Sequence, residues 1–199
     1  MASIIPKEKD GKTVFDITPE AFADEVCSQV SKGVRIIGGC CGTTPSYISL
    51  LSQKTRDLTP IPVKEKNITV VSSYSHAVVF DKEPILIGER INPTGKKRFK
   101  KALLDHDIDY ILSEGIKEQE KGAHILDVNV GLPEIDEKVL LTEAVFELQS
   151  VLDLPLQIDT ANPVAMEAAL RRYNGKAMIN SVNGKQESME AIFPLVKKY

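Results

Sequence analysis

The chain has 199 residues, 42% hydrophobic and 27% charged, with 25 Lys and Arg set against 28 Asp and Glu for a formal net charge of −3. That length allows one large domain or two small ones with a sizeable core, and the mixed charges exclude the basic footprint of a nucleic-acid binder. No apolar run approaches the ~20 residues of a membrane span and "MASIIPKEKDGKTVF" lacks a secretory apolar centre, so the expectation is a cytoplasmic protein with no membrane partner. Three cysteines, Cys27, Cys40 and Cys41, cannot all pair; in a reducing compartment adjacent thiols more often serve a metal or chemistry than a disulfide.

In chain order, Thr18-Pro19 reads as an N-cap with proline at the first helical position, and "EAFADEVCSQVSK" continues as a helix until Gly33 stops it. "VRIIGG" then predicts a brief buried strand, with the Cys40-Cys41 turn at its C-terminal end and Thr44-Pro45 opening a second helix, "SYISLLSQKT". A proline-punctuated polar stretch, "LTPIPVKEKN", and two short strands around Ser73 to Ser75 follow. The expected organisation is a first unit over 1–56, a linker with a hairpin over 57–83 and a second unit over 84–199. From Pro84 onward the apolar stretches "ILIGE", "HILDVNV", "LPLQID" and "KAMINSV" alternate with helical segments, which predicts an α/β fold of four β-α units around a parallel sheet.

In parallel α/β folds ligands bind beyond the C-terminal ends of the strands. Here every strand closes on carboxylates or amides: Glu89 and Asn92, Asp127 and Asn129, Asp159, then Asn180 and Asn183. Any one of these could be a turn former or helix cap. Four sets in succession predict one mouth rich in acceptors and amides, without an obvious nucleophile, and no catalytic residue is assigned. Such a mouth suits a flat, neutral, hydrogen-bonding heterocycle such as a pterin. Its adjacent amino and ring N–H groups match an ionised aspartate, whereas a phosphate would call for basic residues or an amide nest. An aspartate at its ordinary pKa of about 3.9 is ionised at neutral pH and ready to accept, so the chemistry follows without any unusual shift.

"GGCCGTTPSYI", "ILIGERINPTGKKRFKKAL", "AHILDVNVG", "QIDT" and "MINSVNG" together resemble the cobalamin-dependent methionine synthase family over nearly the whole chain. The resemblance implies a segment running from the end of a homocysteine-binding module into the first half of a pterin-binding module. The fold implied is of TIM-barrel type, a (βα)4 half-barrel preceded by the last strand-helix unit of another barrel. It implies that Glu89, Asn92, Asp127, Asn129, Asp159 and Asn180 line a pocket for 5-methyltetrahydrofolate, with Asp159 and Asn180 on the ring. It also implies that Cys40 and Cys41 are two of three zinc ligands that activate the homocysteine thiol. The third ligand has no counterpart here, nor has the asparagine that the family places near N5 of the folate. Free thiols in a tight turn remain the plain reading of Cys40 and Cys41. The implied partners are a separate cobalamin-binding module and, to close the half-barrel, a second copy of the chain as a homodimer; the chain by itself would be inactive. Two alternatives stand: another pterin enzyme such as dihydropteroate synthase, which should not carry "GGCCGTTP", and a truncated, non-catalytic folding unit.

The basic run "GKKRFKK" reads as a solvated helix face or as an attractor for an acidic group, while His76, His106 and His124 lack metal-ligand spacing.

Overall fold

A computed structural model describes residues 6–81 and 83–199. The chain divides into two compact units, Met1–Lys66 and Asn67–Tyr199.

In the first unit, β1 (Pro6–Lys9) and β2 (Lys12–Phe15) form an antiparallel hairpin. Its turn residues Asp10 and Gly11 both have positive φ, 53° and 72°, as a tight two-residue hairpin requires. Helix α1 (Pro19–Ser28) starts where the Thr18 hydroxyl accepts from the Ala21 N–H at 3.2 Å. A single 3-10 turn, Val30–Lys32, ends at Gly33, whose φ of 99° favours glycine. Helix α2 (Pro45–Thr55) packs on α1 through Phe22, Ala23 and Leu51, with the rings of Phe22 and Tyr47 edge to face at 5.6 Å. Thr44 precedes α2 but makes no capping bond from its side chain; its hydroxyl pairs with Ser46 instead.

The strand expected over "VRIIGG" is not formed. Residues 34–40 carry no regular structure, and Ile36 is 93% exposed. A strand is stabilised by a ladder partner, and among the described residues β1 and β2 pair only with each other. The helix of the expected terminal strand-helix unit is therefore present and its strand is not.

The second unit opens with a hairpin, β3 (Thr69–Ser72) and β4 (Ala77–Phe80), then alternates β5 (Ile87–Ile91), α3 (Lys97–Leu104) and α4 (Ile108–Glu120), β6 (Ile125–Val128), α5 (Glu137–Val151), β7 (Leu156–Asp159), α6 (Pro163–Leu170), β8 (Met178–Asn180) and α7 (Gln186–Lys198). Strands β5-β6-β7-β8 lie in that order, all parallel, as the alternating pattern predicted. Because side chains alternate across a pleat, each strand sends one set to each face. Leu126, Val128, Leu156 and Ile158 join the helices in the main core, with Phe99, Ile111, Leu141, Leu148 and Met166. Among the described residues no helix is long and apolar enough to cross a membrane.

The opposite face of the sheet is divided along its length. At its N-terminal end Ile87, Ile125 and Met178 pack under Val71 and Val78 of the β3–β4 hairpin. The hairpin is fixed there by reciprocal backbone bonds between Ser72 and Lys176, 2.9 Å each way, and by the Ser73 hydroxyl on the Asp153 carbonyl at 2.5 Å. Gly175 makes the approach possible, since a Cβ there would sit 2.2 Å from the Ser72 carbonyl oxygen. Tyr173 ties the same region together, accepting from Leu156 N–H at 3.0 Å and donating to the Ser72 carbonyl at 2.9 Å. Burial pushes the pKa of its hydroxyl up to about 12, although the bond from Leu156 works against that rise. The polar strand ends lie beyond this apolar floor.

Candidate functional site

The register of the parallel strands sorts these polar residues into rows. Asp127 stands opposite Gln157, and Asp159 opposite Asn180, on the face that the helices leave uncovered. Within the first row the Gln157 amide donates to Asp127 Oδ1; in the next, Asn129 Nδ2 donates to Asp159 Oδ2 at 2.8 Å. Each carboxylate is thus paired with an amide from the neighbouring strand, and the spacing of one pleat brings Asp127, Asn129, Asp159 and Asn180 together as expected.

Two asparagines in this set also hold their own loops. Asn129 Oδ1 accepts from Gly131 N–H at 2.9 Å, and Asn92 Oδ1 from Thr94 N–H at 2.9 Å, each bridging its own backbone two residues on. Asn92 is buried and its amide donates to Glu89 Oε1 at 3.2 Å, so it orients Glu89. Glu89 itself lies at a register shift between Gly88 and Ile91, a bulge of the kind that re-aims side chains beside functional sites. Behind the bulge, Arg90 N–H donates to Glu118 Oε1 at 2.9 Å and Lys96 Nζ reaches the carbonyls of Glu89 and Arg90 at 2.6 and 3.3 Å. Gly88 leaves room for this, since a Cβ there would lie 2.6 Å from the Glu118 carboxyl carbon. Asn183 stands apart: it accepts from Lys185 N–H at 2.9 Å within the turn before α7.

Asp127 departs from the ordinary behaviour expected of it. It is 2% exposed, and burial pushes its pKa up to about 6. The amides of Gln157 and Asn180 oppose the rise, while the charges of Asp159 and Glu89 add to it. Its Oδ2 is buried without a hydrogen-bond partner among the described residues. An unpaired buried acceptor is costly, and its chemistry is that of a group able to accept an N–H donor. The sequence shows a carboxylate's neighbours but not its desolvation, so this rise is visible only in the structure.

Gln157 was not among the residues singled out from sequence. It lies two positions before Asp159 and therefore on the same face of β7, so period-two alternation was the signal that could have found it. Thr160 is a bracing residue of the same strand end, donating to Glu137 Oε1 at 2.6 Å and accepting from Asn162 N–H at 3.0 Å.

In the first unit Cys40 and Cys41 are exposed, their sulfurs 3.7 Å apart, in a turn closed by Thr43 Oγ1 on the Cys40 carbonyl at 2.5 Å. Cys27 is packed beside the Phe22 and Leu51 cluster. Among the described residues no group of three or more His, Cys, Asp or Glu is placed to hold a metal ion. Two soft, accessible thiols fit zinc as half of a tetrahedral shell. The histidines serve other ends: His124 Nδ1 accepts from Leu86 N–H at 2.8 Å, and His106 Nε2 lies 2.8 Å from Glu143. In the basic run, Arg98 stacks over the Tyr110 ring at 4.5 Å and Lys96 is occupied by β5 carbonyls.

Residues 88–199, more than half of the chain, match the family described as pterin binding enzyme. The chain belongs to that family. Residues 2–55 match the family described as homocysteine S-methyltransferase. Similar proteins include the methionine synthase of Mycobacterium leprae (strain TN), 30% identical over 178 residues, and that of Mycobacterium tuberculosis (strain ATCC 25618 / H37Rv), 28% identical over 172. Each alignment covers 85% of this chain, while the chain spans only 15% and 14% of those relatives. The pterin-binding match begins at Gly88, within β5, and takes in every residue of the polar rows.

The rise of the Asp127 pKa from 3.8 to about 6 disfavours the ionised form by ~3 kcal/mol. An acid whose pKa is raised on folding weakens the fold as pH climbs through that window. Asp127→Asn should therefore gain stability over the parent between pH 4 and pH 7, by up to ~3 kcal/mol. Urea unfolding of both proteins at the two pH values checks this, and a difference independent of pH would contradict it.

Proposed function

We propose that the polar rows bind the pterin of 5-methyltetrahydrofolate and that the chain serves methyl transfer by way of cobalamin to homocysteine, giving methionine. The observation that carries this reading is the pairing of Asp127 and Asp159 with the amides of Gln157 and Asn129, which leaves a buried carboxylate oxygen unfilled. Asp159 and Asn180 would contact the ring, with Glu89, Asn92, Asp127 and Asn129 lining the pocket. A carboxylate accepts from the paired N–H donors of a pterin while neutral amides answer its ring carbonyl and nitrogens, and charge-assisted bonds of this kind are the stronger class.

The four β-α units would be half of a TIM-type barrel whose remaining face, and the group near N5, come from other β-α units. Cobalamin would be carried on a separate module and would supply the methyl-accepting centre. The homocysteine S-methyltransferase match over residues 2–55 favours methyl transfer over the condensation run by a dihydropteroate synthase. On the same reading Cys40 and Cys41 are two zinc ligands for the homocysteine thiol. With half a shell the chain alone would hold zinc loosely.

Calorimetric titration of 5-methyltetrahydrofolate into the 199-residue chain tests the pterin site. Binding should weaken about 10- to 100-fold in Asp159→Ala, the loss expected for a charge-assisted bond; undiminished affinity, or no binding by the parent chain, would refute the assignment. For the thiols, dialysis against a mild chelator should strip zinc from the parent chain. One tightly retained zinc per chain, lost in Cys40→Ser, would show that a third ligand is present after all.

A further inference from the structure

We infer that Gln157 is a positioning residue that decides which oxygen of Asp127 meets the ligand and keeps that aspartate available as an acceptor at neutral pH. The inference deepens the pterin reading of the site and rests on it. Three observations carry it. Gln157 and Asp127 face each other across β6 and β7 in register, both are buried, at 8% and 2% exposure, and the amide donates to Oδ1. Oδ2 is then the one carboxylate oxygen of Asp127 left without a partner. The side chain at 157 is held as well, since Leu156 and Ile158 on either side are fully buried under the helices.

The electrostatic setting makes the amide necessary. From β7, Asp159 places a second negative charge near Asp127, and from β5 Glu89 adds another. From β8, Asn180 contributes an amide, and the hairpin side of the face supplies the apolar Val71 and Val78. Burial and two like charges drive Asp127 towards its neutral form. Two amides hold it back, and Gln157 is the stronger of them. A protonated Asp127 would offer an O–H where the ligand needs an acceptor. The identity of residue 157 therefore sets the lower pH limit of pterin binding.

Gln157→Met keeps an unbranched side chain of similar length and removes the donor. Two readouts separate this role from simple packing. In the ligand-free chain, carbon-13 NMR should show the Asp127 titration midpoint moving upward by about 1 to 2 in pH, the equivalent of one hydrogen bond to a charged group. With 5-methyltetrahydrofolate as probe, affinity should fall several-fold to about tenfold near pH 7 and recover near pH 9. A midpoint that stays near 6, or an equal affinity loss at every pH, would overturn the proposal. Should the variant fail to fold, the parent chain still decides: saturating 5-methyltetrahydrofolate should lower the Asp127 midpoint, and an unmoved midpoint would exclude Oδ2 as the acceptor. If the parent chain does not bind the probe at all, the pterin reading falls, while the ligand-free titration still accepts or rejects the coupling of Gln157 to Asp127.

Discussion

The hydrogen bond from Gln157 to Asp127 joins two central strands at the level where the open face of the sheet changes from apolar to polar, and the arrangement of the second unit is organised around that level. Below it, Ile87 and Ile125 are covered by the β3–β4 hairpin; level with it Met178 stands opposite Gln157, and above it come Asn129, Asp159 and Asn180. A carboxylate at such a border is short of water, and its Oδ2 has no hydrogen-bond partner among the described residues. The low dielectric there strengthens the polar contacts it does make.

The surrounding structure keeps the border fixed. The hairpin is anchored by Ser72, Ser73 and Tyr173, each bonded to the backbone of a segment that leads into β7 or β8, so the floor of the site and the strands that carry it are one packed assembly. At β5 the bulge places Glu89 beside the same carboxylates, and the backbone groups it disturbs are met by Glu118 and Lys96. Glu118 carries its own cost: burial raises its pKa, with the Arg90 N–H acting against the rise, and its Oε2 is left unpaired. Glu114 beside it goes the other way. Burial acts to raise its pKa, but Lys117 and Arg90 outweigh burial and the net shift is downward.

Much of this was legible in the sequence because periodicity reports directly on faces. The alternation of apolar stretches with helical segments gave the parallel sheet, and residues at strand ends gave Asp127, Asn129, Asp159 and Asn180. Gln157 lies one period inside the strand end, where a glutamine reads as an ordinary strand residue unless the face it shares with Asp159 is known to be polar. The ionisation of Asp127 was beyond reach for a different reason: desolvation depends on which side chains cover a group, and that cover comes from residues far away in the sequence. The β1–β2 hairpin has its sign in the sequence as well, the Asp10-Gly11 pair at its turn. "VRIIGG" shows the converse. Its composition is strand-like, yet composition cannot provide the partner that a strand needs, and residues 34–40 stay irregular.

The central claim is that one face of the second unit, at the C-terminal ends of β5 to β8, receives a pterin through paired carboxylates and amides. The most direct measurement follows the side-chain amide resonances of the 199-residue chain by nitrogen-15 NMR as 5-methyltetrahydrofolate is added. The account predicts saturable shifts at Asn129, Gln157 and Asn180, with Asn174, Asn183 and Gln186 unmoved. Shifts confined to the latter group, or none at Gln157 and Asn180 while the ligand is bound, would contradict it.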